Sequence, residues 1–384
     1  MDGYTLFIYI DTMKKLGALF VALSLVAGVM AQNEANGKQS LFSEMSQKNI
    51  LNHMDVGVNV GTVGLGIDVA MPVGDYVRVR AGYNYLPSFK AKSDFTVESS
   101  NGSIQRFIDK WNSIDIYAEL EKRDIDINNY PQYKDLLDKF GNVKLYDQVT
   151  MGISPNAHQF KFLVDVLPFK NNKHWSFTAG FFAGPSNVGE AHNLEKEKQI
   201  LEGVLAYNDL YIGFCKEEYP HIDVLEGLLF KTGVAGFRLG TFDNGDMAIM
   251  VPSEDATAHA ELKVNKVRPY LGFGYNTDLS RDKKWKLNVD VGLLILGKPH
   301  VYVDNIYRID KSVIDQENFI FDVVRWNDEK GDYDGPEELG IIMNDVDLVR
   351  DLHDIPGKVG NMTNTISKFK VYPNASVTFS YRLF

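Results

Sequence analysis

Tyr76-Val-Arg-Val-Arg-Ala-Gly-Tyr-Asn-Tyr-Leu86 is the stretch that decides the fold. On an extended chain, Val77, Val79, Ala81, Tyr83 and Tyr85 fall on one side and Arg78, Arg80, Gly82 and Asn84 on the other. The same period of two returns along the chain. Phe160, Phe162, Val164 and Val166 alternate with Gln159, Lys161 and Asp165, and Trp175, Phe177, Ala179 and Phe181 with Ser176, Thr178 and Gly180. Leu271, Phe273 and Tyr275 oppose Arg268, Gly272, Gly274 and Asn276, while Trp285, Leu287, Val289, Val291 and Leu293 oppose Lys286, Asn288 and Asp290. A last segment sets Val377, Phe379, Tyr381 and Leu383 against Thr378, Ser380 and Arg382.

Alternation suits a soluble sandwich, apolar side inward, as well as a membrane barrel, apolar side outward. Two features favour the barrel. Aromatic residues gather near strand ends (Tyr83, Tyr85, Trp175, Phe181, Tyr275, Trp285, Tyr381), as in interfacial girdles. The connections also alternate in length: 71–75, 168–173 and 277–284 are short, whereas 87–157, 185–264 and 297–370 are long. Short turns on one side and long loops on the other are the asymmetry of outer-membrane barrels.

These segments, with one ahead of Met71, make seven strands, but single-chain bacterial barrels have even numbers. The apolar residues sit at even positions in Val56, Val58 and Val60 and at odd ones in Val63, Leu65, Ile67, Val69 and Met71, so the phase flips across Gly61-Thr62. A flip marks a turn or a bulge. Taken as a turn, it gives eight strands. The expectation is an all-β chain, an antiparallel up-and-down transmembrane β-barrel over 54–384. Further strands at Phe89–Glu98 or Val234–Phe242 would raise the count to ten or twelve. Helical spacing of Ile104, Phe107, Ile108 and Trp111, and of Leu194, Leu201, Val204 and Leu205, predicts amphipathic helices in the long loops.

Ahead of the barrel, Lys14 and Lys15 precede an apolar run from Leu16 to Val29 and small residues around Ala31. This is the layout of a secretory signal peptide, and the run is shorter than the roughly 20 residues of a spanning helix. Residues 1–31 read as leader, with translation starting at Met13, 1–12 a misassigned extension and the mature chain beginning at Gln32. Residues 32–53 read as a linker. Cys215 is the lone cysteine, so no intramolecular disulfide forms. A net charge of −11 argues against nucleic acid as a partner. The three long loops hold 40 acidic and 24 basic residues, a net of −16, which leaves +5 for the rest of the chain. The acidic charge therefore belongs to the loop surface.

The hairpin Val56-Gly-Val-Asn-Val-Gly-Thr-Val-Gly-Leu-Gly-Ile67 and the ending Ser-Val-Thr-Phe-Ser-Tyr-Arg-Leu-Phe384 resemble the small outer-membrane barrels of Gram-negative bacteria, of the OmpA and OmpX type. The resemblance covers leader, strand layout and last strand, without a peptidoglycan-binding domain. It implies an assembly signal in Phe379, Tyr381, Leu383 and Phe384, read by the barrel-assembly machinery, and surroundings of outer-membrane lipid and lipopolysaccharide. Phe384 departs from it, because the outward set is odd-numbered and ends at Leu383.

Inward positions hold Arg78, Arg80, Lys161, Arg268, Lys286 and Arg382 against Asp68, Asp165 and Asp290. Eight strands leave room only for side chains, so these charges are expected to pair as an internal network, with three cations in excess. No cofactor is implied. Lys330-Gly-Asp-Tyr-Asp-Gly335 fails as a calcium loop, because Lys330 and Ile341 replace the required carboxylates. His158, His300 and His353 sit in no catalytic motif. The expected role is non-enzymatic: an anchor for an acidic extracellular surface serving envelope integrity or recognition. The alternative is a narrow channel or transporter for a small solute.

Overall fold

The computed structural model describes residues 50–87, 91–99, 102–103, 109, 113, 115–131, 134, 148–215, 234–309, 325–334 and 342–383. The leader, the linker up to residue 49, Phe384 and the predicted helix through Ile104, Phe107, Ile108 and Trp111 lie outside these residues. Among the described residues no helix is long and apolar enough to cross a membrane, which has no bearing on crossing by strands.

Eight antiparallel strands close a barrel: β1 (Asp55–Gly61), β2 (Gly64–Pro72), β3 (Val77–Tyr85), β4 (His158–Val166), β5 (Trp175–Ala183), β6 (Val267–Asp278), β7 (Trp285–Ile295) and β8 (Val371–Arg382). Each pairs with its sequence neighbours, and β1 closes on β8 with Val58 opposite Phe379 and Asp55 opposite Arg382. The flip at Gly61-Thr62 is a tight hairpin in which Gly61 faces Gly64. Gly64 has φ +103°, and a Cβ there would lie 2.3 Å from the Tyr85 carbonyl oxygen, so only glycine fits. Val63 does not point outward with Leu65 as its odd number predicts. The turn rolls it into the barrel, where it is 7% exposed.

The barrel is apolar outside and polar inside. Among the described residues, the large exposed apolar side chains lie almost entirely on its outer face: Val60, Leu65, Phe162, Phe177, Leu271, Phe273, Val291, Val377 and Phe379 among them. A soluble domain would bury that face. Around the short-turn end runs an aromatic girdle of Trp175, Tyr275, Trp285 and Tyr381, with ring centroids 5.0 Å apart for Trp175–Tyr275 and 4.8 Å for Trp285–Tyr381. Amphipathic rings at that level suit a membrane–water interface.

The long loops fold. Ala91–Thr96, Gln148–Pro155, Asn187–Asn193, His259–Lys263 and His300–Val303 pair side by side in that order, and Val346–Asp347 adds a sixth strand. The first five follow or precede β3, β4, β5, β6 and β7 within a few residues, and their order repeats the order of the barrel wall. Backbone hydrogen bonds bridge the seam, from Asn156 N to Val188 O, Gly184 N to Lys266 O and Asn265 N to Leu296 O. Five of the eight barrel strands thus extend beyond the barrel as one sheet.

Against this sheet stands a second, with strands Ile342–Met343, Ile306–Ile309, Met247–Met250, Ala235–Phe242, Glu98–Ser99 and Gly102–Ser103, and with Leu352–His353 paired to Ala235–Phe242. Both sheets share one apolar core with three helices, α1 (Ile116–Lys122), α2 (Lys198–Cys215) and α3 (Gly357–Lys368). The predicted helix around Leu201, Val204 and Leu205 is α2, and Leu194 falls just ahead of it. Leu201, Leu210 and Tyr211 are fully buried, each worth about 1.5–3 kcal/mol relative to exposure. Asn208 on α2 both donates to Ala235 O and accepts from Ala235 N at 2.8 Å, stapling helix to sheet. Within the segments 89–98 and 234–242, Ala91–Thr96 and Ala235–Phe242 do form strands, but in this cap. The barrel closes at eight.

Candidate functional site

The interior of the barrel is where the sequence-predicted residues meet. β3, β4 and β7 aim Arg80, Asp165 and Asp290 at one point. Arg80 Nη1 donates to Asp290 Oδ2 at 2.6 Å and Nη2 to Asp165 Oδ1 at 2.8 Å. Arg78 Nε donates to Asp165 Oδ2 at 2.7 Å, and Thr178 Oγ1 to Asp165 Oδ1 at 2.8 Å. Over Gly82, which lies between them on β3, Lys161 pairs with Asp68 at 2.7 Å, and Asn59 Nδ2 donates to the same carboxylate at 2.9 Å. Asn84 continues the chain to Asn59, and Asn288 donates to Asp290. Every one of these side chains but Arg78 is under a tenth exposed, and charges so removed from water persist only when paired.

Lys286 and Arg382 sit lower, toward the short turns, and both reach Asp55, at 2.5 and 3.5 Å. The expected surplus of three cations is therefore corrected: Asp55 is a fourth interior carboxylate and serves two of them. Arg268 is separate from the network, at the seam with the cap. Its Nη1 donates to Gln159 Oε1 at 3.0 Å, Nε to Asn265 O at 2.8 Å and Nη2 to Pro185 O at 2.5 Å, so a single guanidinium ties the connections around 185 and 265 to β4.

Toward the cap the lumen also holds an apolar cluster. Val63, Leu163, Phe182, Tyr270 and Leu294 pack together, backed by Leu296 and Tyr372, with the Phe182 and Tyr270 rings edge to face at 5.6 Å. Tyr270 lies across Gly272 and Gly292, where a Cβ would come within 2.5 and 2.6 Å of its hydroxyl. The glycines give the ring its place.

His53 lies at the open short-turn end, its Nε2 3.3 Å from Arg382 Nη2 and 3.9 Å from the Asp55 carboxylate. Burial, then the Arg382 guanidinium, with Lys286 and Arg78 adding and Asp55 opposing, pushes its pKa down to about 4. The folded state thus prefers the neutral imidazole, so His53 contributes fully above its unfolded pKa of about 6.5 and loses that contribution as pH falls toward 4. Urea titrations of the folded barrel should show stability declining across that window, with a visibly flatter decline in His53→Gln. Identical slopes would remove His53 from the account.

The remaining candidates scatter. His158 opens β4, His300 pairs with buried Asp347 at 2.5 Å and His353 with Asp243 at 2.5 Å, none beside another. Residues 328–331 form the turn of a small hairpin, Arg325–Asn327 with Asp332–Asp334. Among the described residues no three His, Cys, Asp or Glu side chains converge to hold a metal ion. Of the proposed assembly signal, Phe379 and Leu383 face outward, and Phe384 lies outside the described residues.

No known protein family matches the sequence, and no curated protein does. Among the crystal structures that are similar are CarO2 and CarO of Acinetobacter baumannii. Each is 12% identical; they cover 86% and 87% of this chain and 98% of their own, with TM-scores of 0.32 and 0.31. Overlaps of that size leave the assignment to the barrel itself: closed at eight strands, apolar outside, ringed with aromatics and filled with paired charge. That is the architecture of a small outer-membrane β-barrel.

Proposed function

We propose that this protein is a non-conducting, non-enzymatic barrel that seats a folded, acidic cap on the cell surface, for envelope integrity or recognition. Outer-membrane lipid and lipopolysaccharide would surround it, and the barrel-assembly machinery would insert it. One observation carries the reading: the lumen is filled along its height, by ion pairs below and by the Val63–Leu163–Phe182–Tyr270–Leu294 plug above. Side chains packed in this way leave little room for a continuous water path, while the long loops hold a core of their own.

Purified protein in planar bilayers is expected to show no stable open channel, including when the segment from Pro185 to Val264 is replaced by a short linker. Steady, ion-selective conductance in either form would favour the channel reading instead. Orientation has its own check. On intact cells a membrane-impermeant amine reagent should label Lys358 and Lys368 in the cap and spare Lys170 and Lys284 in the short turns.

A further inference from the structure

The cap contains a cavity that the barrel does not explain. It has a volume of about 150 Å³, lies between the two sheets beneath α3, and is walled by Met151 and Ala260 from one sheet, Phe237 and Met250 from the other, and Met362 and Ile366 from α3. Protein cores pack as densely as organic crystals, so an unfilled apolar cleft of this size, partly open to solvent, is an exception. Water needs two to four polar partners to stay in one, and these walls are almost wholly hydrocarbon. The nearest carboxylates are engaged elsewhere: Asn187 Nδ2 donates to Glu190 at 3.0 Å and Glu261 at 3.1 Å, and Lys263 pairs with Glu261 at 2.7 Å. The site thus selects against charge. By volume, an apolar void of about 150 Å³ accepts one benzene-sized molecule.

The wall most ready to move is α3. Its sequence, Gly-Lys-Val-Gly-Asn-Met-Thr-Asn-Thr-Ile-Ser-Lys, is poor in strong helix formers, and Pro356 at its N-cap supplies no side-chain hydrogen bond. The helix is held by the face carrying Val359, Met362, Thr363 and Ile366 over the cavity, and not by its own propensity. A wall of that kind opens at lower cost than the sheets it covers.

We propose that this cavity is a binding site for one small, uncharged, apolar molecule, the size of a single aromatic ring or a chain of about six carbons, admitted by displacement of α3. The proposal concerns the cap alone and stands whether or not the barrel conducts. The test uses fluorobenzene and the full chain folded in detergent, read by 19F NMR against micelles alone. Wild type should give a saturable, protein-dependent bound signal. Ala260→Leu, which fills the cavity, should weaken binding at least tenfold. Met362→Ala, which enlarges it, should shift preference toward longer alkylbenzenes. A wild-type signal equal to that of micelles, or unchanged in Ala260→Leu, would mean partition into detergent or onto the barrel exterior and would overturn the site. Should Ala260→Leu fail to fold, an unaltered size preference in Met362→Ala overturns it equally.

Discussion

Replacing Asp165 by leucine is expected to cost the barrel about 3–5 kcal/mol, because the carboxylate is fully buried and its loss leaves two guanidinium groups short of a counter-charge. Arg80 would retain Asp290, but Arg78 would lose the carboxylate it pairs with. The damage should come from the stranded charge more than from the lost bonds, and that is separable. Adding Arg78→Met to Asp165→Leu restores the balance between Arg80 and Asp290, so the double variant should recover much of what the single one loses. Urea unfolding of the micelle-folded protein, followed by heat-modifiable gel mobility, measures both. An Asp165→Leu midpoint equal to wild type would mean that water reaches the network and that the lumen is not closed.

The second large effect is expected on the opposite face. Val289 sits near the middle of β7 and points to the outside, between Tyr275 and Val377 on the neighbouring strands. Arginine there meets hydrocarbon at mid-membrane, at about 2–4 kcal/mol, whereas the same residue near an interface costs about 0–1 kcal/mol. Val371→Arg, at the cap end of β8, is the matched comparison. Folded yield should drop sharply for Val289→Arg and little for Val371→Arg, and equal yields would mean that the apolar face does not meet lipid. Asn288→Arg would not serve as a lumen-side control, because Asn288 is 5% exposed and bonded to Asp290.

The barrel was legible because its physics is local. A period of two states which side chain goes where, and closure turns that statement into an interior list: Arg80, Asp165 and Asp290 come from three strands, yet each is inward by parity alone. Asp55 is in phase with Gly57 and Asn59, but it stands at the strand end next to the linker, where alternation is too short to place a side chain inside. The cap was hidden for a different reason. Its strands are short, Met247–Met250 is buried at every residue, and their pairings join segments such as 98–99 and 235–236 across more than a hundred residues, so no single stretch displays the pattern. Helical spacing did reveal α2, whose apolar stripe is self-contained. The cavity has no sequence signature, since it is the space left between residues contributed by both sheets and α3.

The extension of β3 to β7 past the barrel has a mechanical corollary. A domain hung on flexible loops swivels, and a pull on it straightens the tether before it reaches the anchor. Here the five strands that emerge from the wall stay hydrogen-bonded across the seam and are clasped by Arg268, so a pull on the cap is shared among neighbouring strands and enters the barrel as shear along its ladders. The cap should behave as a stiff mast, keeping a fixed bearing relative to the envelope under flow or contact.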